Sequence, residues 1–263
     1  MALDPVALAR WKASAEVDYC EYFRKAYEPF NAWFKDVYGQ SVRDSKAISQ
    51  IKNGPNVVHR EIVALLRDST PDAIRSLDSI GSLHERLEAQ TDFPVPTHRC
   101  PVTMRDCWIA NNAHKDASTT HNRIHYHVKR GDPSGEQILC EVTTRRGCVF
   151  SLAQNQYDFT GLRAHPQHAT ITRSQRAKLE GLYQSINPRE MKSLLDFRRR
   201  GNHIKAGTVR LRDDPEVIFA GLVEIIYCLR CLLVHGNIAP NTTHNEVYEP
   251  AYFILRRFLG CIV

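Results

Sequence analysis

No uninterrupted apolar stretch in this 263-residue chain is long enough to cross a membrane. The longest candidate, Val217 to Val234, contains Glu224 and Arg230, and charges at those points mark a core helix rather than a span. The N-terminus lacks the charged start, apolar middle and small-residue cleavage site of a secretory signal, so a soluble, cytoplasmic protein with no membrane partner is expected. A glycine-rich phosphate loop is missing, as are serine and cysteine nucleophile motifs, which excludes two common hydrolase signatures. Internal repeats and low-complexity tracts are missing too.

Eight cysteines are spread through the chain without a short secreted framework, which predicts reduced thiols rather than disulfides. Cys228 and Cys231 form a CxxC inside the apolar stretch, where small packing residues are expected. The segment holding His98, Cys100, Cys107, His114, His121, His125 and His127 contains metal-ligand residue types. It has no CxxC spacing, so no metal and no other cofactor is assigned.

The net charge of +6 is unevenly placed. Between Arg145 and Arg212 there are 14 Lys or Arg against 4 Asp or Glu, and the remainder of the chain is net negative. Such a segment suits a polyanionic partner, RNA or DNA first.

Hydrophobic periodicity predicts a mainly α protein. Tyr19, Tyr22, Phe23, Ala26, Tyr27, Phe30, Trp33, Phe34 and Val37 follow the spacing of one apolar helix face, ended by Gly39 and expected to kink at Pro29. Asp4-Pro5 reads as an earlier helix start, and shorter helices fit 45–52, 57–67 and 70–90. From 93 to 157 the period changes, and RIHYHV, EQILCEVTT and GCVFSL read as strands of a small antiparallel insertion, with turns at 132–135 and 146–147. Helices are expected again over 173–185 and 188–196, then a basic, breaker-rich connector over 197–214. Asp214-Pro215 opens an apolar helix to His235, and a last helix is expected over 245–263. The organisation expected is one helical domain over 1–263, interrupted by a β-rich insertion at 93–157 and closed by a helix pair at 215–263.

Within YCLRCLLVHGN, Tyr227 to Asn237, Arg230 sits on a helix apolar around most of its circumference. Burying its guanidinium demands a countercharge, a subunit boundary or an anionic ligand. His235 lies five residues on, about 140° around an ideal helix, in the last turn before Gly236. This R-x4-H at the end of an apolar helix, followed by Gly236 and another helix, resembles the signature of the HEPN superfamily. The likeness covers Pro215 to Val263 and extends more weakly to EPFNAWF (Glu28 to Phe34) and to Gln175–Ile186. It departs at Cys231, where many members carry Asn, Asp or His.

That resemblance implies a helical bundle and a homodimer in which the motifs of two copies face one cleft. It implies a metal-independent endoribonuclease of the kind found in phage defence and growth arrest, including toxin–antitoxin systems, with a regulatory protein partner as a further expectation. Arg230 and His235 are then the catalytic residues, for phosphate stabilisation and proton transfer. Tyr227 and Cys231 are candidates for site support. Asn237 and the connector residues Arg198, Arg199, Arg200, His203 and Lys205 are candidates for holding RNA. The alternative expectation is a non-catalytic HEPN module that binds RNA or a partner protein.

Overall fold

A computed structural model describes residues 17–90, 102–111, 115–131, 137–198, 200–238 and 241–262. The expectations at Asp4-Pro5, His98, Cys100, His114, the turn over 132–135 and Arg199 fall outside them. The chain divides into two compact units, one formed by Met1–Trp108 with Met191–Val263 and the other by Ile109–Glu190.

The first unit is helical. α1 (Tyr19–Tyr38) begins where the Asp18 side chain accepts from the Glu21 amide, runs through Pro29 and ends at Gly39. Its aromatic face packs along α9 (Thr242–Leu259), with Phe23 against Tyr248 at 5.1 Å and Phe30 against Phe258 at 6.0 Å between ring centres. α2 (Asp44–Asn53) and α3 (Val57–Leu65) pack on the apolar helix α8 (Pro215–Val234), which opens with an Asp214 cap and Pro215 in its first turn, and α4 (Pro71–Ala89) packs on α9. Among the described residues α8 alone is long and apolar enough to cross a membrane, and 78% of its most apolar window is buried inside the protein. It is the core helix. The Tyr248 hydroxyl donates to the Leu229 carbonyl at 2.8 Å, fixing α9 against the last turns of α8.

The second unit is built on a four-stranded antiparallel meander in the order β2 (Asp116–His121), β3 (Ile124–Arg130), β4 (Ile138–Thr144) and β5 (Gly147–Gln154). Asn122 and Arg123 take positive φ, 51° and 63°, in the tight turn that suits the twist of a hairpin. The register sets Tyr126 opposite Val142 and Val128 opposite Cys140. These side chains pack with Phe150 against Leu179, Tyr183 and Ile186 of α7 (Arg173–Ser185) and its end, a core of their own. α5 (Phe159–Ala164) and α6 (Pro166–Thr170) complete the unit. β1 (Cys107–Ala110) and β6 (Arg189–Lys192), in which the chain passes from one unit to the other and back, form a two-stranded sheet.

Among the described residues the fold is therefore mixed α/β with three antiparallel sheets, which corrects the expectation of a mainly α bundle with a small insertion. The reason is that several strands have no apolar alternation to announce them. β2 (DASTTH) is an edge strand with only Ala117 and Thr119 half-buried. The 188–196 segment, expected as a helix, instead forms β6, because pairing with β1 outweighs its local helical spacing. The connector 197–214 folds into a hairpin of β7 (His203–Ala206) and β8 (Val209–Arg212). That hairpin approaches α4 so closely that a Cβ on Gly81 would lie 2.2 Å from the Ala206 carbonyl oxygen, so only glycine fits there.

Candidate active site

Three successive backbone hydrogen bonds close the C-terminal end of α8. The amides of His235, Gly236 and Asn237 donate to the carbonyls of Cys231 (3.0 Å), Leu233 (3.2 Å) and Leu232 (3.0 Å), and Gly236 adopts φ 65°. This is a Schellman cap, with Ile238 buried beneath it. It turns the chain sharply at His235, whose side chain is exposed. Asn237 is exposed as well, and its amide serves the cap.

Arg230 projects from the other side of the helix, toward α1 and α2. Its guanidinium lies 5.6 Å from the centre of the Tyr27 ring, and its Nη2 is 3.7 Å from Asp44 Oδ2. That separation is an ion pair and too long for a hydrogen bond. Asp44 has a nearer partner in Lys35, at 2.9 Å. The demand for a countercharge is thus met within the chain, but loosely, and the Arg230 side chain stays 22% exposed.

Arg230 borders a recess of about 210 Å³, lined also by Phe23, Tyr27, Asn31, Leu233 and Val234, with Arg24 and Glu28 at its rim. Two of the lining residues carry polar atoms closed off from solvent, the Tyr27 hydroxyl and Asn31 Oδ1, which bond to no protein group. Burial raises the Tyr27 phenol above its ordinary pKa, an effect that the Arg230 charge opposes, so the hydroxyl keeps its proton. His235 is not part of the lining. Within one chain the two motif residues therefore serve different surfaces of the same helix end.

Tyr227 and Cys231 are both buried, each 7% exposed, and Cys231 occupies a packing position between α1 and α9 near Tyr27 and Tyr248. Of the connector residues, Arg198 is tied to Asp196 at 2.9 Å, while Arg200, His203 and Lys205 are exposed. His203 Nδ1 lies 3.4 Å from Arg210 Nη2. The hairpin that carries them packs on α4, with Thr208 bonded to Glu85, whereas Arg230 faces α1 and α2. The basic stretch from 145 to 212 is split between the two units, and Arg163, Arg198 and Arg212 within it each have an acidic partner. Among the described residues no group of three or more His, Cys, Asp or Glu could hold a metal ion. His125 and His127 share the outer face of β3, bonded to Thr120 and Asp116.

Tyr27, Asn31 and Asp44 were not singled out by sequence. A signal exists for one of them, since Asn31 is a polar residue one helical turn from Tyr27, set within the aromatic face of α1. Comparison with protein-family models, curated proteins and solved structures finds no match to this chain.

Proposed function

We propose that this chain is a metal-independent endoribonuclease of the HEPN kind, working as a homodimer that brings two Arg230–His235 motifs to one cleft. The observation that carries the reading is the state of the motif at the end of α8. Arg230 keeps its donors free of hydrogen bonds and only loosely paired, and His235 is open to solvent at a rigid helix cap. Val234, 51% exposed between them, supplies an apolar contact for a second copy.

The chemistry needs these groups and little else. A 2′-hydroxyl of RNA attacks the adjacent phosphorus, forming the P–O2′ bond as the P–O5′ bond breaks. Histidine accepts the 2′ proton or donates one to the departing 5′ oxygen, and a dimer offers one imidazole for each task. The guanidinium of Arg230 stabilises the extra negative charge on the phosphorane. Exposed Arg200, His203 and Lys205 would hold the strand by its phosphates. A cytoplasmic setting, where RNA is plentiful, belongs to the same reading.

The test is cleavage of a labelled RNA in EDTA, with the product ends identified. Wild type should yield 2′,3′-cyclic phosphates and 5′-hydroxyls, and His235→Ala should yield neither. Equal cleavage by the two proteins would sink the reading. A second reading, a non-catalytic module that binds RNA or a protein, is favoured by one observation: His235 is outside the recess that Arg230 borders. RNA binding by wild type without any cleavage would select it.

A further inference from the structure

We infer that the outer face of the β7–β8 hairpin, bordered by Phe197, is a surface for single-stranded RNA, with phosphates held by Arg200, Lys205 and Arg210 and one base stacked on the Phe197 ring. The surface deepens the ribonuclease reading by naming the form of RNA that is held away from the motif. It rests on that reading only for what becomes of the bound strand.

Strand alternation builds the face. In the hairpin register His203 stands opposite Arg212 and Lys205 opposite Arg210, so four basic side chains share one side, while Ile204, Ala206, Val209 and Leu211 share the other. Ala206 and Leu211 are buried, which turns the basic side outward. A third segment widens this face: Leu195 bridges to Leu211, and the Asp196 amide donates to the Arg210 carbonyl at 2.9 Å. The Asp196 carboxylate barely reaches solvent, since its side chain is 2% exposed and is bonded at 2.9 Å to Arg198, which is itself well exposed. Arg212 is held by Asp214 at 3.7 Å and by the Ser193 carbonyl at 3.2 Å. Arg200, Lys205 and Arg210 have no carboxylate within ion-pair distance among the described residues, so their donors are available and the local field is positive.

Charge alone suits any polyanion, and Phe197 narrows the choice. It follows Asp196 directly and is 66% exposed, more than any other large apolar residue among those described. The Arg105 guanidinium lies over its ring, 5.7 Å from the centre, and is tied to Glu88 at 2.8 Å, so the ring is steadied without being covered. A phenyl group in that setting adds little to the core and offers a π face to a nucleobase. Stacking needs an unpaired base; a duplex hides its ring faces, and a run of carboxylates has none.

The experiment measures binding to the full-length protein by fluorescence anisotropy across a salt series. The probes are a short 2′-O-methyl oligouridine that cannot be cleaved, an abasic strand of the same length, a 2′-O-methyl duplex and polyglutamate. Wild type is compared with Phe197→Leu, Phe197→Tyr and a protein bearing both Arg200→Gln and Lys205→Gln. Oligouridine should bind tightest. Phe197→Leu should weaken it about tenfold and leave the abasic strand unchanged, while Phe197→Tyr, which keeps a ring, should bind as wild type does. The glutamine pair should weaken both single strands and lower the slope of log affinity against log salt by about 1.4, the share of two phosphate contacts on a single strand. Equal affinity for oligouridine and the abasic strand, or undiminished oligouridine binding by Phe197→Leu, would overturn the surface. So would an unchanged salt slope in the glutamine pair, or duplex or polyglutamate bound as tightly as oligouridine. The two proposals fail separately. Phe197-dependent binding by a protein that cleaves no RNA removes the ribonuclease and keeps the surface, whereas cleavage with unaltered binding in every variant does the reverse.

Discussion

Beyond its first turn two charges interrupt the apolar helix α8, and the protein treats them differently. Glu224, in the middle of the helix, meets Lys52 at 2.6 Å, with the two side chains only 15% and 10% exposed. Lys52 also reaches the Trp108 carbonyl at 3.4 Å. Arg230, fewer than two turns later, has a carboxylate at 3.7 Å that another lysine holds more closely, and it borders an open recess. A charge in a core helix is explained structurally when its hydrogen-bonding capacity is spent. Glu224 meets that condition, and Arg230 does not.

The difference between the two ends can be broken experimentally. The largest effect expected is on cleavage: His235→Ala should lower the rate at least about a hundredfold, as loss of a general acid–base group does. Its exposed side chain predicts an unchanged midpoint in urea. Next, Lys52→Ala should cost about 3 kcal/mol of folding stability, read from the same urea midpoint, because it strands Glu224 in the interior. Arg230→Ala should cost only about 1 kcal/mol, since Lys35 still neutralises Asp44. Equal losses in the last two variants would erase the distinction between the charges.

Acid should act away from α8. His84 of α4 and His168 of α6 both have pKa values lowered below the ordinary 6.5, in each case chiefly by burial, with Glu88 and Glu180 respectively opposing. The folded state therefore binds these protons more weakly than the unfolded chain does. Their contribution to stability is complete above about pH 6.5 and is lost as pH falls through the lowered values. Thermal unfolding between pH 7.5 and 5 should show that loss equally in wild type and Arg230→Ala. The smallest effect expected is for Tyr27→Phe, within about 0.5 kcal/mol of wild type, because the deleted hydroxyl has no protein partner to lose.

The first unit was largely legible because its signals are local. The aromatic face of α1, the Thr70-Pro71 start of α4, the Asp214-Pro215 start of α8 and the Gly236 cap each announce their element. The helix expected over 173–185 is α7, Arg173–Ser185, and the structure closes its start with a Thr172–Gln175 capping box. What sequence missed depends on distant partners. β6 is a strand because β1 is beside it, and the basic connector is a hairpin because Gly81 lets it close on α4. At the candidate site Arg230 and His235 stood out, as two polar residues ending an apolar run. Asp44, Tyr27 and Asn31 did not, since their meaning comes from helices more than 180 residues away in the chain.

The most direct test of the contrast within α8 is a paired measurement on Arg230→Ala: the rate of RNA cleavage in EDTA and the urea midpoint, beside wild type and Lys52→Ala. We expect cleavage to disappear in Arg230→Ala with most of the stability retained, and Lys52→Ala to lose stability while its folded fraction still cleaves. Undiminished cleavage by Arg230→Ala, or a collapse in its stability as deep as that of Lys52→Ala, would contradict the account.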